Sequence, residues 1–574
     1  MSPNLLTLFQ ITTIMIGLTE KMEKQPRLCH FYYARSKIKV KRRNILPNPL
    51  LKYLSRSMPF GVLTYVIATI CLPSIDHSPP THSADGAAWA GPSNPSPKHA
   101  LNTQAVDTQP GVTTKAKKLP VLKEIVMEIP TEACEGQEIK FATRDPFARK
   151  IAGIDPISPW NPASTMKLLT LSAALKILKP DFQFKYTVAG KQVGDRITSD
   201  FLINTQGSPV FSPGDLTALI DQLKSRGIKS IRGPIVLESS HFNDVHDPPG
   251  FSEFESDHPY RSGIGSVQMM RNVVEIQIEG GKKRNRRPEI TIHPPNDYVK
   301  VINDMRVNGR RSRMKVSTYE EGSTTVVNLG GTVIPRSGKR YFWKRVFHPE
   351  AYFVSALKTA LKNEGIRISR PGYKIKRLTG TDLDILAENH SPLLSELVRS
   401  AAKHSSNIIA ESLYLAIGQR RYGGSANWKK AKRALYEFLA NYGIKKEELT
   451  LINGSGLARE ARISSGVLSK LLAKLYYDPD VGPSLLSSLP IFGIDGTLKK
   501  AIFSGSPLVG RVRAKTGTLD GISTLAGFLN TCEAQYSFAI SVESPLPSYQ
   551  RKACQRAVLE ALDGALAVKC QSEN

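Results

Sequence analysis

Cysteine is scarce in this chain. There are six in 574 residues, with no CxxC pair and no Cys/His spacing suited to a metal. Zinc-ribbon and cluster-binding classes are therefore excluded, and no metal or organic cofactor is implied. Acidic side chains are also few, 50 against 78 lysines and arginines, for a formal charge of +28. The cations gather in runs: "KKRNRR" (282–287), "RVNGRRSRMK" (306–315), "SGKRYFWKR" (337–345) and "KKAKR" (429–433). No zinc-finger spacing and no RNP-like aromatic motif accompanies them, so charge alone does not make a nucleic-acid protein. Solvated faces, or a loose association with a membrane or anionic envelope surface, are the readings left. Gly and Pro, at 42 and 38, are unremarkable and exclude collagen-like or low-complexity chains.

Apolar runs are short. "FGVLTYVIATICL" (60–72) has about the length of a secretory signal core and is short for a membrane span. A basic stretch precedes it, "AWA" (88–90) resembles a cleavage site, and Ile70 before Cys71 makes a poor lipidation box. A second apolar run at 5–18 makes the leader long, and Met58 is an alternative start. Residues 74–118, rich in Pro, Ser, Thr and Ala, read as a linker. The chain then divides into a leader and linker (1–118), a first globular segment (119–186), a β-rich insert (187–386) and a second globular segment (387–574). The reading is of an exported, periplasmic protein, anchored by its N-terminus if the leader is retained. Cys134, Cys532, Cys554 and Cys570 then allow disulfides in three possible pairings.

Strand-like runs "EIKFATRD" and "ARKIAGIDP" precede Asn161 and Pro162, which cap and start a helix over 163–178. Its interior is apolar nearly all round, as in a helix buried on every side. In the insert, "SPGDLTALIDQLKSRG" is a helix with Ser212 as cap and Gly227 past its end, among strands such as "NVVEIQIEGG" and "STTVVNLGG". Helical texture returns from about 392. The strongest β signal comes last: "GRVRAKTGTL" and "ISTLAGFLNT" flank Asp520-Gly521, a two-residue hairpin turn.

Short motifs need context. An SxxK match is expected roughly three times by chance and occurs five times, at Ser36, Ser164, Ser312, Ser355 and Ser400. SxN is as common, at Ser2, Ser405, Ser425 and Ser572. KTG, expected roughly 0.2 times, occurs once, at Lys515-Thr516-Gly517. Ser164 and Lys167 lie on the first turn of a buried helix, Ser405 and Asn407 open an apolar helical segment, and Lys515 lies on a hairpin strand. That order of SxxK, SxN and KTG is the order of a serine acyl-transfer site.

On "NPASTMKLLT", "HSSNIIAESL", "NGSGLAREARIS", "FGIDGTL" and "RAKTGTLDGISTLAGFL", the region 120–565 resembles the class C low-molecular-mass penicillin-binding proteins, the D-alanyl-D-alanine carboxypeptidase/endopeptidase family. The resemblance implies an α+β fold in which an antiparallel sheet is flanked by helices in α-β-α layers, interrupted by the β-rich insert. It implies peptidoglycan stem peptides as substrate and β-lactams as inhibitors. Three positions depart from the family's pattern: Ser406 stands where Asp is frequent, Asn453 opens "NGSGL" in place of Asp, and "QGSP" (206–209) replaces an acidic version.

The chemistry agrees with the pattern. Residues i and i+3 share a helix face, so the Lys167 amine can reach the Ser164 hydroxyl. Serine needs a base, and a lysine becomes one near neutral pH when burial and a second cation, Lys515, lower its pKa. Ser405 can relay a proton to the leaving amine, and Asn407 can bond the substrate's amide carbonyl. Lys515 and Thr516 suit a terminal carboxylate, and Gly517 permits close backbone approach. The N–H groups of Ser164 and Thr518 form an oxyanion hole. His404 reads as solvent-facing, Asp495-Gly496 as a turn near the site, and Asp257 as a candidate pocket wall. Two alternatives remain: a β-lactamase, which needs a deacylating carboxylate, and a non-catalytic peptidoglycan-binding protein of the same fold.

Overall fold

The computed structural model describes residues 131–242, 247–251, 256–377, 382–531 and 534–572. The leader with its 60–72 segment, the 88–90 site, the 74–118 linker and Cys532 lie outside them.

Five strands form the central sheet: β1 (Glu138–Arg144), β2 (Lys150–Ile154), β3 (Val512–Leu519), β4 (Ile522–Asn530) and β5 (Gln535–Glu543). Their order is β2-β1-β5-β4-β3, with every pair antiparallel. Strands from the two ends of the described chain thus share one sheet. β4 and β5 are buried along nearly their whole length, so they lack the alternation of a half-solvated strand. One face packs Phe141, Leu525, Phe538 and Ile540 against the closing helix, Ser548–Ser572. The other face meets helices, with Ser537 Oγ donating to Ser469 O at 2.9 Å. Asp520-Gly521 turns β3 into β4 as the two-residue hairpin predicts, with Gly521 at φ +77° and Leu519 opposite Ile522.

The helix after Asn161 and Pro162 begins later than the spacing suggests. Residues Ala163–Met166 form a 3₁₀ turn, and the α-helix α1 is Lys167–Leu178. Asn161 does not cap α1. Its Oδ1 accepts from Ala163 N at 2.8 Å and its Nδ2 donates to Ala458 O and Arg459 O, which ties the turn to a distant loop. Ten of the twelve residues of α1 are buried. The continuous apolar texture after 392 is two helices, α2 (Leu394–His404) and α3 (Asn407–Tyr422). They break at Ser405, whose backbone is left-handed at φ +56°.

The insert leaves and rejoins through neighbouring strands, because Lys185–Gly190 pairs antiparallel with Asp384–His390. Between them, Phe201–Asn204 pairs parallel with Ile235–Glu238 around the helix Pro213–Ser225. Ser212 caps that helix in a full capping box with Asp215. One continuous apolar cluster joins α1 and α3 to the insert, including Leu171, Tyr414, Phe211 and Phe353.

Cys134 is bonded to Cys554, one of the three pairings the sequence leaves open. The bond fixes the short helix Thr131–Cys134 to the closing helix across 420 residues. Cross-links over long loops restrict the unfolded chain, typically stabilising by about 2–4 kcal/mol. The double substitution C134A/C554A is therefore expected to lower the denaturant midpoint by that order. In limited proteolysis it should expose the closing helix first. An unchanged midpoint would show that packing alone holds this edge.

Candidate active site

The site is assembled where the 3₁₀ turn, the α2–α3 junction, the loop 453–456 and β3 meet. From Trp160 to Leu175 every residue is buried except Ser164, which is half-exposed. Lys167, one turn on, is fully buried. Its Nζ lies 2.9 Å from Ser164 Oγ, 2.7 Å from Asn407 Oδ1 and 2.8 Å from Ser455 O. Asn407 Oδ1 and Ser455 O can only accept, so they take two N–H bonds. A neutral amine has one lone pair besides two N–H bonds, and that lone pair then faces the Ser164 hydroxyl.

Burial lowers the Lys167 pKa to about 7, against the opposing attraction of Glu411. Lys515 is also fully buried, and burial together with the charge of Lys167 holds it well below its ordinary value. Its Nζ donates to Ser405 Oγ at 2.8 Å and to Thr516 O at 2.7 Å. The structure thus brings Ser164, Lys167 and Asn407 into one hydrogen-bonded set and Ser405 and Lys515 into a second, coupled to the first through the charges of the two lysines.

Ser406, not Ser405 or Asn407, is the cap of α3, accepting from Ile409 N. Ser405 closes α2 in its left-handed conformation, which turns its hydroxyl toward β3. Asn407 is more committed than a free substrate ligand. Its Nδ2 donates to Tyr260 O of the insert at 2.8 Å, leaving one N–H for another acceptor.

β3 is the outer strand of its sheet. Ala514 N donates to Pro490 O and Val512 O accepts from Phe492 N, so even-numbered residues aim their amides outward. Thr516 and Thr518 continue that series on the open edge, with Thr518 exposed. The Thr516 hydroxyl pairs with Thr497 at 2.8 Å. A Cβ at Gly517 would lie 2.1 Å from Thr524 Oγ1 and 2.9 Å from Ser164 N. Glycine here lets the strand press against the turn that carries Ser164. Gly456, at φ +78°, does the same from the other side, since a Cβ there would sit 1.8 Å from Ala163 O.

Glu411 borders the candidate site and was missed by sequence reasoning. It is fully buried on α3, and its carboxylate accepts from Gly454 N (3.0 Å), Ser455 N (2.7 Å) and Trp428 Nε1 (3.3 Å). It shapes the turn whose Ser455 carbonyl holds Lys167. An acidic residue inside "NIIAESLYLAIG" was its only signal. His404, beside the site, has its pKa lowered by burial and by Arg271. Asp495 is the structural turn expected: it binds Lys403 at 2.5 Å and accepts from Ile491 N. Asp257 is occupied by Lys344 at 2.7 Å and by Thr318 N at 3.0 Å. Among the described residues no cluster could hold a metal ion.

Comparison with known proteins identifies the family and the fold. Residues 149–564 match the D-Ala-D-Ala carboxypeptidase 3 (S13) family. The D-alanyl-D-alanine carboxypeptidase of Actinomadura sp. (strain R39) is 24% identical over 393 residues, covering 66% of this chain and 72% of that protein. The D-alanyl-D-alanine carboxypeptidase DacB of Haemophilus influenzae is 25% identical over 380 residues, covering 65% and 78%. The crystal structure of penicillin binding protein 4 from Haemophilus influenzae superposes with a TM-score of 0.64 at 23% identity, covering 75% of this chain and 98% of that one. The fold is thus the penicillin-binding-protein one with its inserted β-rich module. The chain belongs to the D-Ala-D-Ala carboxypeptidase 3 family, the class C low-molecular-mass penicillin-binding proteins.

Proposed function

We propose that this protein is a serine D-alanyl-D-alanine carboxypeptidase and endopeptidase of the periplasm, acting on peptidoglycan stem peptides through an acyl-enzyme on Ser164. The observation that carries this reading is the set of partners around Lys167 Nζ, two obligate acceptors and one hydroxyl. Family membership and the relatives' carboxypeptidase names support it. The Cys134–Cys554 bond suits an oxidising compartment.

Neutral Lys167 takes the Ser164 proton as the hydroxyl oxygen attacks the carbonyl carbon of the terminal D-Ala-D-Ala bond, or of a cross-link. The oxyanion is held by the N–H groups of Ser164 and Thr518, each worth about 3–4 kcal/mol. Ser405, bonded to Lys515, relays a proton to the departing amine. Lys515 and Thr516 receive the terminal carboxylate, and the spare Asn407 N–H meets the peptide carbonyl. Water then releases the acyl group. A β-lactam presents an analogous acyl carbon to the same serine. A crystal structure of the Haemophilus influenzae relative is described as complexed with a β-lactam. A β-lactamase would need a carboxylate free to activate water, whereas Glu411 has its oxygens occupied by Gly454, Ser455 and Trp428.

Fluorescent penicillin should label the protein, and the modified peptide should contain Ser164. S164A should abolish labelling and D-Ala release, and K167A should slow acylation by about 10²–10⁴-fold. Labelling that persists in S164A, or rapid penicillin turnover, would overturn the reading.

Acylation requires unprotonated Lys167, so its rate should rise with pH through about 7 and fall off below. Glu411 raises the Lys167 pKa. E411Q should therefore move the acid limb to lower pH, a displacement that a purely structural role would not produce.

G517A should cut kcat by about 10²-fold and cost about 1–3 kcal/mol of stability, because the methyl group meets Thr524 and displaces β3 from Ser164. Thermal melts beside single-turnover acylation would separate the two effects.

A further inference from the structure

Three of the four basic runs converge in the insert although they are far apart in sequence. The loop 281–287 is bonded to the strand Arg306–Val307 in both directions, Asn285 N to Val307 O and Val307 N to Arg286 O, each at 2.8 Å. Arg336 N donates to Gly281 O at 3.1 Å, which brings in the third run. In the adjoining sheet Arg306 and Arg313 both pair with Thr332, from its two sides. They stand two strand spacings apart, on the order of 10 Å. Lys315 follows opposite Gly330 on the same exposed face.

Residues 282–340 hold fourteen lysines and arginines against five aspartates and glutamates. Among the described residues this basic face makes one ion pair, Arg287 with Asp304 at 3.6 Å. At the far end of the sheet Lys300 meets Glu321. The fourth run behaves differently. On the helix Trp428–Ala440, Lys430 donates to Gly423 O and Ser425 O, and Arg433 pairs with Glu437. That run is absorbed by its own helix, and the end of the third run is paired too, Lys344 with Asp257 and Arg345 with Asp247. The cations of 282–340 are instead gathered with little counter-charge. Folding gains nothing from such a gathering, since like charges within a Debye length repel.

We propose that this face of the insert docks on an anionic phospholipid bilayer. Phosphate groups suit exposed guanidinium forks, and a sheet face with glycines between its cations is flat enough for a membrane surface. Two apolar side chains share this face and are exposed: Ile302 on the outer strand Val299–Asn303, and Tyr319 on the strand that carries Arg313 and Lys315. Aliphatic and tyrosyl side chains beside cations fit the head-group region. A single-stranded nucleic acid would need aromatic faces among the cations, and Tyr341 instead stacks on Trp343. The proposal is independent of the catalytic reading.

The test uses the full chain and the variant K282Q/K283Q/R284Q/R286Q/R287Q. Co-sedimentation is measured with vesicles of phosphatidylcholine alone and with phosphatidylglycerol added, at low and physiological salt. The parent should bind the anionic vesicles at least about tenfold more tightly than the zwitterionic ones, and salt should weaken this. The variant should lose that preference while fluorescent penicillin labels it like the parent, which reports an intact fold. An undiminished preference in the variant would overturn the proposal. So would tighter binding by the parent to heparin or duplex DNA than to anionic vesicles.

Discussion

The molecule is organised around the cost of burying one amine. Lys167 has no solvent exposure, and a pKa lowered from 10.5 to about 7 corresponds to about 5 kcal/mol of lost preference for the charged form. That cost is what makes a lysine usable as a base at neutral pH. It is tolerable because every polar direction around Nζ is filled, by Ser164 Oγ, Asn407 Oδ1 and Ser455 O. The three partners come from different parts of the chain, so the site exists only when the helices, the loop and the strand are all docked. Glu411 sets the balance. Its attraction raises the amine's pKa, while burial raises the pKa of Glu411 itself and three N–H donors only partly oppose that.

Backbone strain is concentrated at the same place. Ala163 at φ +43° and Ser405 at φ +56° are non-glycine residues in left-handed conformations, each costing about 1–3 kcal/mol. Ala163 lifts the Ser164 turn out of the buried α1 helix, which explains why one residue of a sixteen-residue buried stretch reaches the cleft. Ser405 breaks the α2–α3 line so that a hydroxyl faces β3. The strain is held by two apolar clusters on opposite faces of the central sheet. Gly456 and Gly517 then let loop and strand approach within distances that any side chain would block.

Much of this was legible in the residues, for identifiable reasons. Ser164 and Lys167 follow from helix periodicity, the β3–β4 hairpin from Asp520-Gly521, and the cap of the insert helix from Ser212. The meeting of Lys167 with Lys515 followed from motif order rather than from spacing. What stayed hidden depended on tertiary contacts. The break at Ser405 interrupts an apolar pattern that runs through it unchanged. Asn407 offers an amide whose two ends could bond anything, and only the docked insert supplies the Tyr260 carbonyl. Glu411 looks like one polar residue in an apolar helix, because its partners are an indole on the next helix and two backbone amides more than forty residues away. The cysteine pairing was undecidable because four positions give no geometry. The basic runs were visible singly, but their convergence depends on strand register.

The two lysines also make the pocket responsive to its substrate under the proposed roles. Both are buried, each disfavours charge on the other, and one buried carboxylate lies near Lys167. A pocket of this kind does not hold two full ammonium charges at neutral pH without an added anion. A peptide carboxylate arriving beside Lys515 and Thr516 supplies that anion where it stabilises a proton on Lys515 most. Charge on Lys515 in turn opposes charge on Lys167, whose lone pair faces the nucleophile. Substrate binding therefore favours the protonation pattern that acylation requires, and a ligand lacking the terminal carboxylate loses that assistance as well as its ion pair. The distance from the carboxylate site to the nucleophile is set by a single strand, β3, which carries Lys515, Thr516 and Thr518 in consecutive register. Specificity for the end of a peptide and activation of the serine are then two consequences of the same strand edge.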